Sequence, residues 1–194
     1  MNAFVNLGSG KDTLMSKEEP WIASVSKEGI MAATASLGLI NLWDVDGCTE
    51  AISDYLDVKD GYAKAGACMG LGLASTGIWS ETDTAKGLLE DYLESPDMHV
   101  KLGSAVGLGL AYAGTAREDF LEMENLVDMI TDENIGPDTA AFAALSLGLI
   151  FVSKCNEEVS NSILSALMQR SEEELNQTSS RFFAVALALN YLGQ

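Results

Sequence analysis

The sequence predicts an all-α fold, an α-solenoid of helical hairpins with an inner and an outer layer, and three observations carry that expectation. First, a glycine/alanine pattern, KLGSAVGLGLAYAG at Lys101–Gly114, recurs as AATASLGLINLW from Ala32, GACMGLGLASTG from Gly66, FAALSLGLIFVS from Phe142 and FFAVALALNYLG from Phe182. Its second glycine falls at Gly38, Gly72, Gly109 and Gly148, with Ala188 in the fifth place, in steps of 34, 37, 39 and 40 residues. A period in that range belongs to stacked repeats. Second, small residues stand four apart, Gly66 with Gly70 and Gly103 with Gly107, so they share one helix face and let a neighbouring backbone approach closely. Third, the repeated segments are nearly charge-free after their first turn, acids crowd the segments between them, and strand signals are absent.

The glycines need an offsetting contact. The eight at positions 38, 66, 70, 72, 103, 107, 109 and 148 would together cost their helices about 7 kcal/mol relative to alanine, comparable with the whole stability of a domain. Tight packing of a row of inner helices, one per repeat, supplies that offset. Solvated glycine loops are disfavoured by the Leu, Ala and Val set between the glycines.

Taken in order, residues 1–27 hold the tail of a preceding inner helix, Met1–Gly8, and a long polar surface connection, Ser9–Ser26, with Pro20 and Trp21. Four repeats follow at 28–60, 61–97, 98–134 and 135–174, and a truncated one at 175–194, all within a single α-helical repeat domain. Glu28–Trp43 is the first inner helix; Asp44–Gly47 turns the chain, and Thr49–Leu56 makes a short outer helix burying Ile52, Tyr55 and Leu56. The second pair is Tyr62–Gly77 and Thr82–Leu93, stopped before Pro96 because proline biases its predecessor out of the helix. Thr115 and Glu118 form a T-x-x-E capping box, which predicts an outer helix from Ala116 to Ile130. Pro137 suits the first turn of the fourth inner helix. Asn156 is the N-cap of an outer helix Glu157–Gln169, with Glu157 and Glu158 complementing its dipole. Acids on outer helices (Glu90, Asp91, Glu94, Asp119, Glu122, Glu124, Asp128, Glu157 and Glu158) present the charge outward.

Composition bounds the function. The chain has 194 residues, 47% of them hydrophobic, with 29 acids against 11 Lys and Arg, for a net charge of -18. Such a surface repels nucleic acid and anionic lipid and attracts basic partners. No secretory signal opens the chain, and the longest uncharged apolar stretch, Ala140–Val152, has 13 residues, too few to span a bilayer. Cys48, Cys68 and Cys155 are few, odd in number and far apart, which suits a reducing, intracellular compartment.

Catalysis is poorly supported. His99 is the only histidine and has no paired nucleophile, so the chain is expected not to be an enzyme. GLGLASTG and GLGLAYAG lack the GxGxxG spacing and the preceding strand of a dinucleotide loop. WDVDG opens like a calcium loop but lacks the closing bidentate Glu, and the cysteines and histidine have no zinc spacing. No cofactor or metal is expected.

The GLGLAYAG and GLGLASTG units resemble proteasome/cyclosome repeats. LWDVDG at Leu42–Gly47, GLGLAYAGTARED at Gly107–Asp119 and SKCNEEV at Ser153–Val159 resemble the large non-ATPase scaffold subunits of the proteasome regulatory particle. The resemblance covers essentially the whole chain apart from Ser9–Ser26. It implies a segment of a closed toroid in the cytoplasm and nucleus, non-enzymatic, beside other subunits of the proteasome base. There it would dock ubiquitin, the ubiquitin-like domains of shuttle factors and that of a deubiquitinase. By that comparison the first docking surface falls on Glu158, Ser165 and Gln169, of which Glu158 keeps the family's charge. The second falls on Val45, Asp46 and Glu50, around the WDVDG turn. A purely structural segment of this scaffold, or of the related scaffold of the anaphase-promoting complex, is the alternative. An acidic helical face with small apolar side chains complements the basic-rimmed apolar patch of a ubiquitin-like partner, and its charge would chiefly raise the on-rate and select the partner.

Overall fold

A computed structural model of the chain describes residues 2–12, 15, 25–79, 81–122 and 124–194, so Pro20 and Trp21 of the predicted surface connection lie outside the described residues, as do Met123 and the side chain of Glu124. The described residues form helices and no strand. They fall into two compact units, residues 1–111 and 112–194.

In the first unit, α1 (Asn2–Val5) packs on α2 (Lys27–Ile40), the first inner helix. The hairpins α2 with α3 (Val45–Leu56), and α4 (Gly61–Ala74) with α5 (Thr84–Leu93), lead to α6 (Met98–Ala111). The inner helices α2, α4 and α6 stack in sequence order, with α3 lying on α2 and α4 and α5 on α4 and α6. Each of the inner helices α2, α4 and α6 begins where a side chain takes an orphan N–H. Ser26 accepts from Gly29, Asp60 Oδ1 from Tyr62 and Ala63 at 2.9 and 3.1 Å, and Asp97 Oδ1 from His99 at 2.8 Å.

In the second unit, α7 (Asp119–Glu122) and α8 (Glu124–Thr131) precede the inner helix α9 (Pro137–Ile150), with Pro137 in its first turn. The outer helix α10 (Glu157–Gln169), a short α11 (Glu172–Leu175) and the inner helix α12 (Arg181–Asn190) complete it. Here α9 packs on α12, while α8 and α10 cover them.

The glycine column has one packing rule. A Cβ built on Gly38 would stand 2.6 Å from Gly70 Cα, one on Gly72 2.5 Å from Gly107 Cα, and one on Gly148 2.7 Å from Ala186 Cα. In each case the second small residue of one inner helix meets the first small residue of the next, closer than any real Cβ could go. Gly103 sits likewise against Ala65 and Gly66 against Met31. Gly70 departs from the pattern: a Cβ there would stand 3.4 Å from Gly38 N and from the carbonyl oxygens of Thr34 and Ala35, in contact with α2 but without overlapping it.

A second repeating contact is made at the C-terminal ends of inner helices, where the last carbonyls have no partner within the helix. Gly8 and Gly10 donate their N–H groups to Leu39 and Ile40, Trp43 to Ala74, Gly114 and Ala116 to Leu149 and Ile150, and Ser153 and Cys155 to Leu189 and Asn190, at 2.8–3.1 Å. The loop turns left-handed here. The residue three past each inner helix has φ of 65° at Gly8, 74° at Gly77, 77° at Gly114 and 82° at Gly193, and the same column holds Trp43 at 69° and Ser153 at 63°. Two non-glycine residues therefore adopt a conformation that costs an L-residue roughly 1–2 kcal/mol.

That contact corrects the predicted third outer helix. Ala116 has φ 53° and gives its N–H to Ile150, so no helix can start there. Thr115 donates its hydroxyl to Tyr112 O at 2.7 Å instead of capping a helix, and helix is found at Asp119–Glu122 and Glu124–Thr131. The first outer helix also starts earlier than predicted. Asp44 is its N-cap, and Val45–Gly47, read as a turn, form its first turn. Cys48 and Ile52 are its fully buried side chains, with Tyr55 and Leu56 half-buried. The helix Glu157–Gln169 and its Asn156 cap stand as predicted.

Candidate docking surfaces

Asp44 builds the surface around the WDVDG turn. Its Oδ1 accepts the Gly47 N–H at 3.0 Å, which fixes the start of α3 and leaves Asp46 in the first turn at the positive end of the helix dipole. Val45 is half-buried and its carbonyl accepts the Thr49 hydroxyl at 2.8 Å. Asp46 and Glu50, one turn apart, are both exposed and lie on one face. Beside them runs an open groove of about 470 Å³ whose lining includes Trp43, Asp44, Val45, Asp46, Ile78 and Trp79. Trp43 is 70% exposed and Trp79 83%.

The other surface is the outward face of α10. Val159, Ser160, Ile163 and Ala166 are buried, so the opposite side of the helix must carry Glu158, Ser165 and Gln169, and all three are exposed. With them stand two apolar side chains one turn apart, Leu164 and Met168, the latter 87% exposed. The helix is held at both ends. At its start Asn156 Oδ1 caps the Val159 N–H at 3.0 Å, and the buried amide of Asn190 grips the cap itself. Asn190 Oδ1 accepts the Asn156 N–H at 3.0 Å, and its Nδ2 donates to Asn156 O at 2.9 Å and Ser160 Oγ at 3.0 Å. At its end the guanidinium of Arg170, 5% exposed, donates to Ile135 O at 3.2–3.3 Å and to Glu174 Oε1 at 3.2 Å. Glu174 closes a capping box with Ser171. The Ser171 N–H, then its hydroxyl, and after them Arg170 hold the Glu174 carboxyl below the ordinary carboxylate value.

Of the six positions expected to meet partners, Val45, Asp46 and Glu50 thus share one surface in the first unit, and Glu158, Ser165 and Gln169 one helix face in the second. Hydrophobic pattern and resemblance do not mark Trp43, Trp79, Leu164 and Met168 as exposed groups, and neither marks Asn190 as a clamp. Asn190 had a signal: it replaces Ile40, Ala74, Ala111 and Ile150 in an otherwise apolar column. His99 stacks on Tyr62 with ring centroids 4.0 Å apart.

The cysteines divide by burial. Cys48 and Cys68 are buried and their thiols are pushed up to about 12, Cys48 by burial and then by Asp44, Cys68 by burial against a small opposing pull from Lys64. Cys155 is only half-buried. Since the thiolate is the reactive form, iodoacetamide at pH 8 should label Cys155 alone in the folded protein, with Cys48 and Cys68 following only in denaturant. Peptide mass spectrometry reads the order.

No family model matches the chain. Its whole length aligns with the 26S proteasome regulatory subunit rpn1 of Schizosaccharomyces pombe at 45% identity. It aligns likewise with the 26S proteasome non-ATPase regulatory subunit 2 of Dictyostelium discoideum at 36% and with homolog A of that subunit in Arabidopsis thaliana at 44%. The chain spans 22% of the length of these curated relatives.

Proposed function

Because the chain belongs, over its whole length, to the family of 26S proteasome non-ATPase regulatory subunits, we propose that it is a non-enzymatic scaffold segment that docks ubiquitin and ubiquitin-like domains on its outer helices. In the full subunit it would form part of a ring of such hairpins, beside other subunits of the proteasome base, in cytoplasm and nucleus. The observation that carries the reading is the pairing of exposed apolar side chains with carboxylates on outward faces: Leu164 and Met168 with Glu158 on α10, and Trp43 and Trp79 with Asp46 and Glu50 at α3. A basic-rimmed apolar patch complements both. Shuttle factors and a proteasomal deubiquitinase are the partner classes whose ubiquitin-like domains fit.

Isotope-labelled protein titrated with ubiquitin at low ionic strength tests it. Amides of α3 and α10 should shift, the shifts should fade as salt screens the charges, and Asp46→Lys or Glu158→Lys should weaken binding at its own surface about tenfold. Titration without shifts on either helix would refute docking by this segment. The second reading, a purely structural segment whose docking is carried by other parts of the subunit, is favoured by the uncharged Ser165 and Gln169 on α10. It requires both charge reversals to leave binding by the full assembly unchanged.

A further inference from the structure

The fold does little to explain the presence of Trp43. Its backbone stands at φ 69°, in a column that glycine fills at Gly8, Gly77, Gly114 and Gly193. What the stacking of repeats needs from this position is the N–H that reaches Ala74 O at 3.1 Å, which a glycine would supply equally well. The indole itself is 70% exposed, so it returns little burial for the strain of a left-handed tryptophan. Trp79, 83% exposed, lines the same groove from the loop after the next inner helix. Two large aromatic side chains left in water on one groove mark a binding surface rather than a misplaced core.

The rest of the groove says what it binds. Asp44 and Asp46 line it and both are exposed; Val45 and Ile78 give it an apolar surface; and the whole chain carries a net charge of -18. Indole faces and carboxylates together select a cation, and a planar one above a spherical one. A guanidinium can stack on an indole while its N–H fork pairs with a carboxylate, and its methylene stem covers apolar surface, whereas an ammonium is a strongly hydrated point charge. A volume of about 470 Å³ has room for one such side chain.

We propose that Trp43, Trp79, Asp44 and Asp46 form an arginine-accepting groove, which takes an arginine side chain projected by a protein docked on the adjoining α3 face. The inference deepens the docking reading and rests on it for the partner, while the groove's chemistry stands apart from it.

The test uses two probes on the isotope-labelled protein, with the indole Nε–H signals of Trp43 and Trp79 as readout. The first probe is acetyl-Gly-Arg-Gly-amide with its lysine counterpart, the second ubiquitin. The arginine peptide should move both indoles at millimolar concentration and the lysine peptide should bind at least threefold more weakly. Trp43→Gly, which suits the left-handed backbone and so keeps the fold, should weaken the arginine peptide about fivefold, and Asp46→Asn likewise. Indoles that ignore the arginine peptide, or a Trp43→Gly variant that binds it as well as the parent, would overturn the proposal. Ubiquitin shifts on α3 with silent indoles in the peptide titration would leave docking standing and remove the groove. Peptide shifts without any ubiquitin shift would do the reverse.

Discussion

Gly72→Ala should destabilise the protein by about 2–3 kcal/mol, although alanine is the better helix former by roughly 1 kcal/mol. The added methyl would stand 2.5 Å from Gly107 Cα and 2.6 Å from its carbonyl carbon, both backbone atoms of the next inner helix. Neither can rotate away, so α4 and α6 would have to separate and open the contacts on either side. The same substitution at Gly87, on the outer helix α5, is the control. Nothing lies within 4 Å of a Cβ there, and its φ is not left-handed, so Gly87→Ala should stabilise by about 0.5–1 kcal/mol. Urea unfolding followed by circular dichroism reads both. Opposite signs for one chemical change would separate close backbone approach from helix propensity; equal signs would mean that the inner helices are not held by their missing side chains.

Legibility in the sequence followed the range of the interaction. Asn156 and the helix Glu157–Gln169 could be read in full because a cap and its dipole are settled within one turn. Pro137 was legible for the same reason. The glycine column was legible because the stacking contact recurs, and a repeated pattern reports a long-range contact that a single copy would hide. Ala116 was not. Its left-handed backbone is set by the carbonyl of Ile150, far along the chain, and that demand overrode a locally persuasive T-x-x-E box. The resemblance implies a role for Asp46 and Glu50, but nothing in the sequence marks the groove beside them, since it joins the loop after α2 to the loop after α4 and its tryptophans are residues that hydrophobicity alone would send inside. On α10, periodicity separates a buried stripe from an outward one, yet Leu164 and Met168 fall on the outward side. Their exposure is therefore a departure from the pattern that no local rule foretells.

The other large effect is expected at Asn190, fully buried at the last turn of α12. Its amide makes three hydrogen bonds, and all three go to the segment that starts α10: the N–H and carbonyl of Asn156 and the hydroxyl of Ser160. Asn190→Ala would strip the Asn156 N–H of its partner and open a cavity against it. An unsatisfied buried donor costs about 1–3 kcal/mol, so a loss of about 2–4 kcal/mol is expected once the cavity is added. Asn190→Asp should fail as badly although it keeps the shape, because a carboxylate accepts from the Asn156 N–H but cannot donate to the Asn156 carbonyl, and burial penalises its charge. Amide hydrogen exchange locates the effect: protection should fall first at Val159 and Ser160, where the Asn156 cap and the clamp meet, and ubiquitin shifts on α10 should weaken while those on α3 persist. If both helices lost binding together, the two surfaces would be one cooperative element. If neither did, the clamp would serve stability alone and the outward face of α10 would not depend on how its first turn is held.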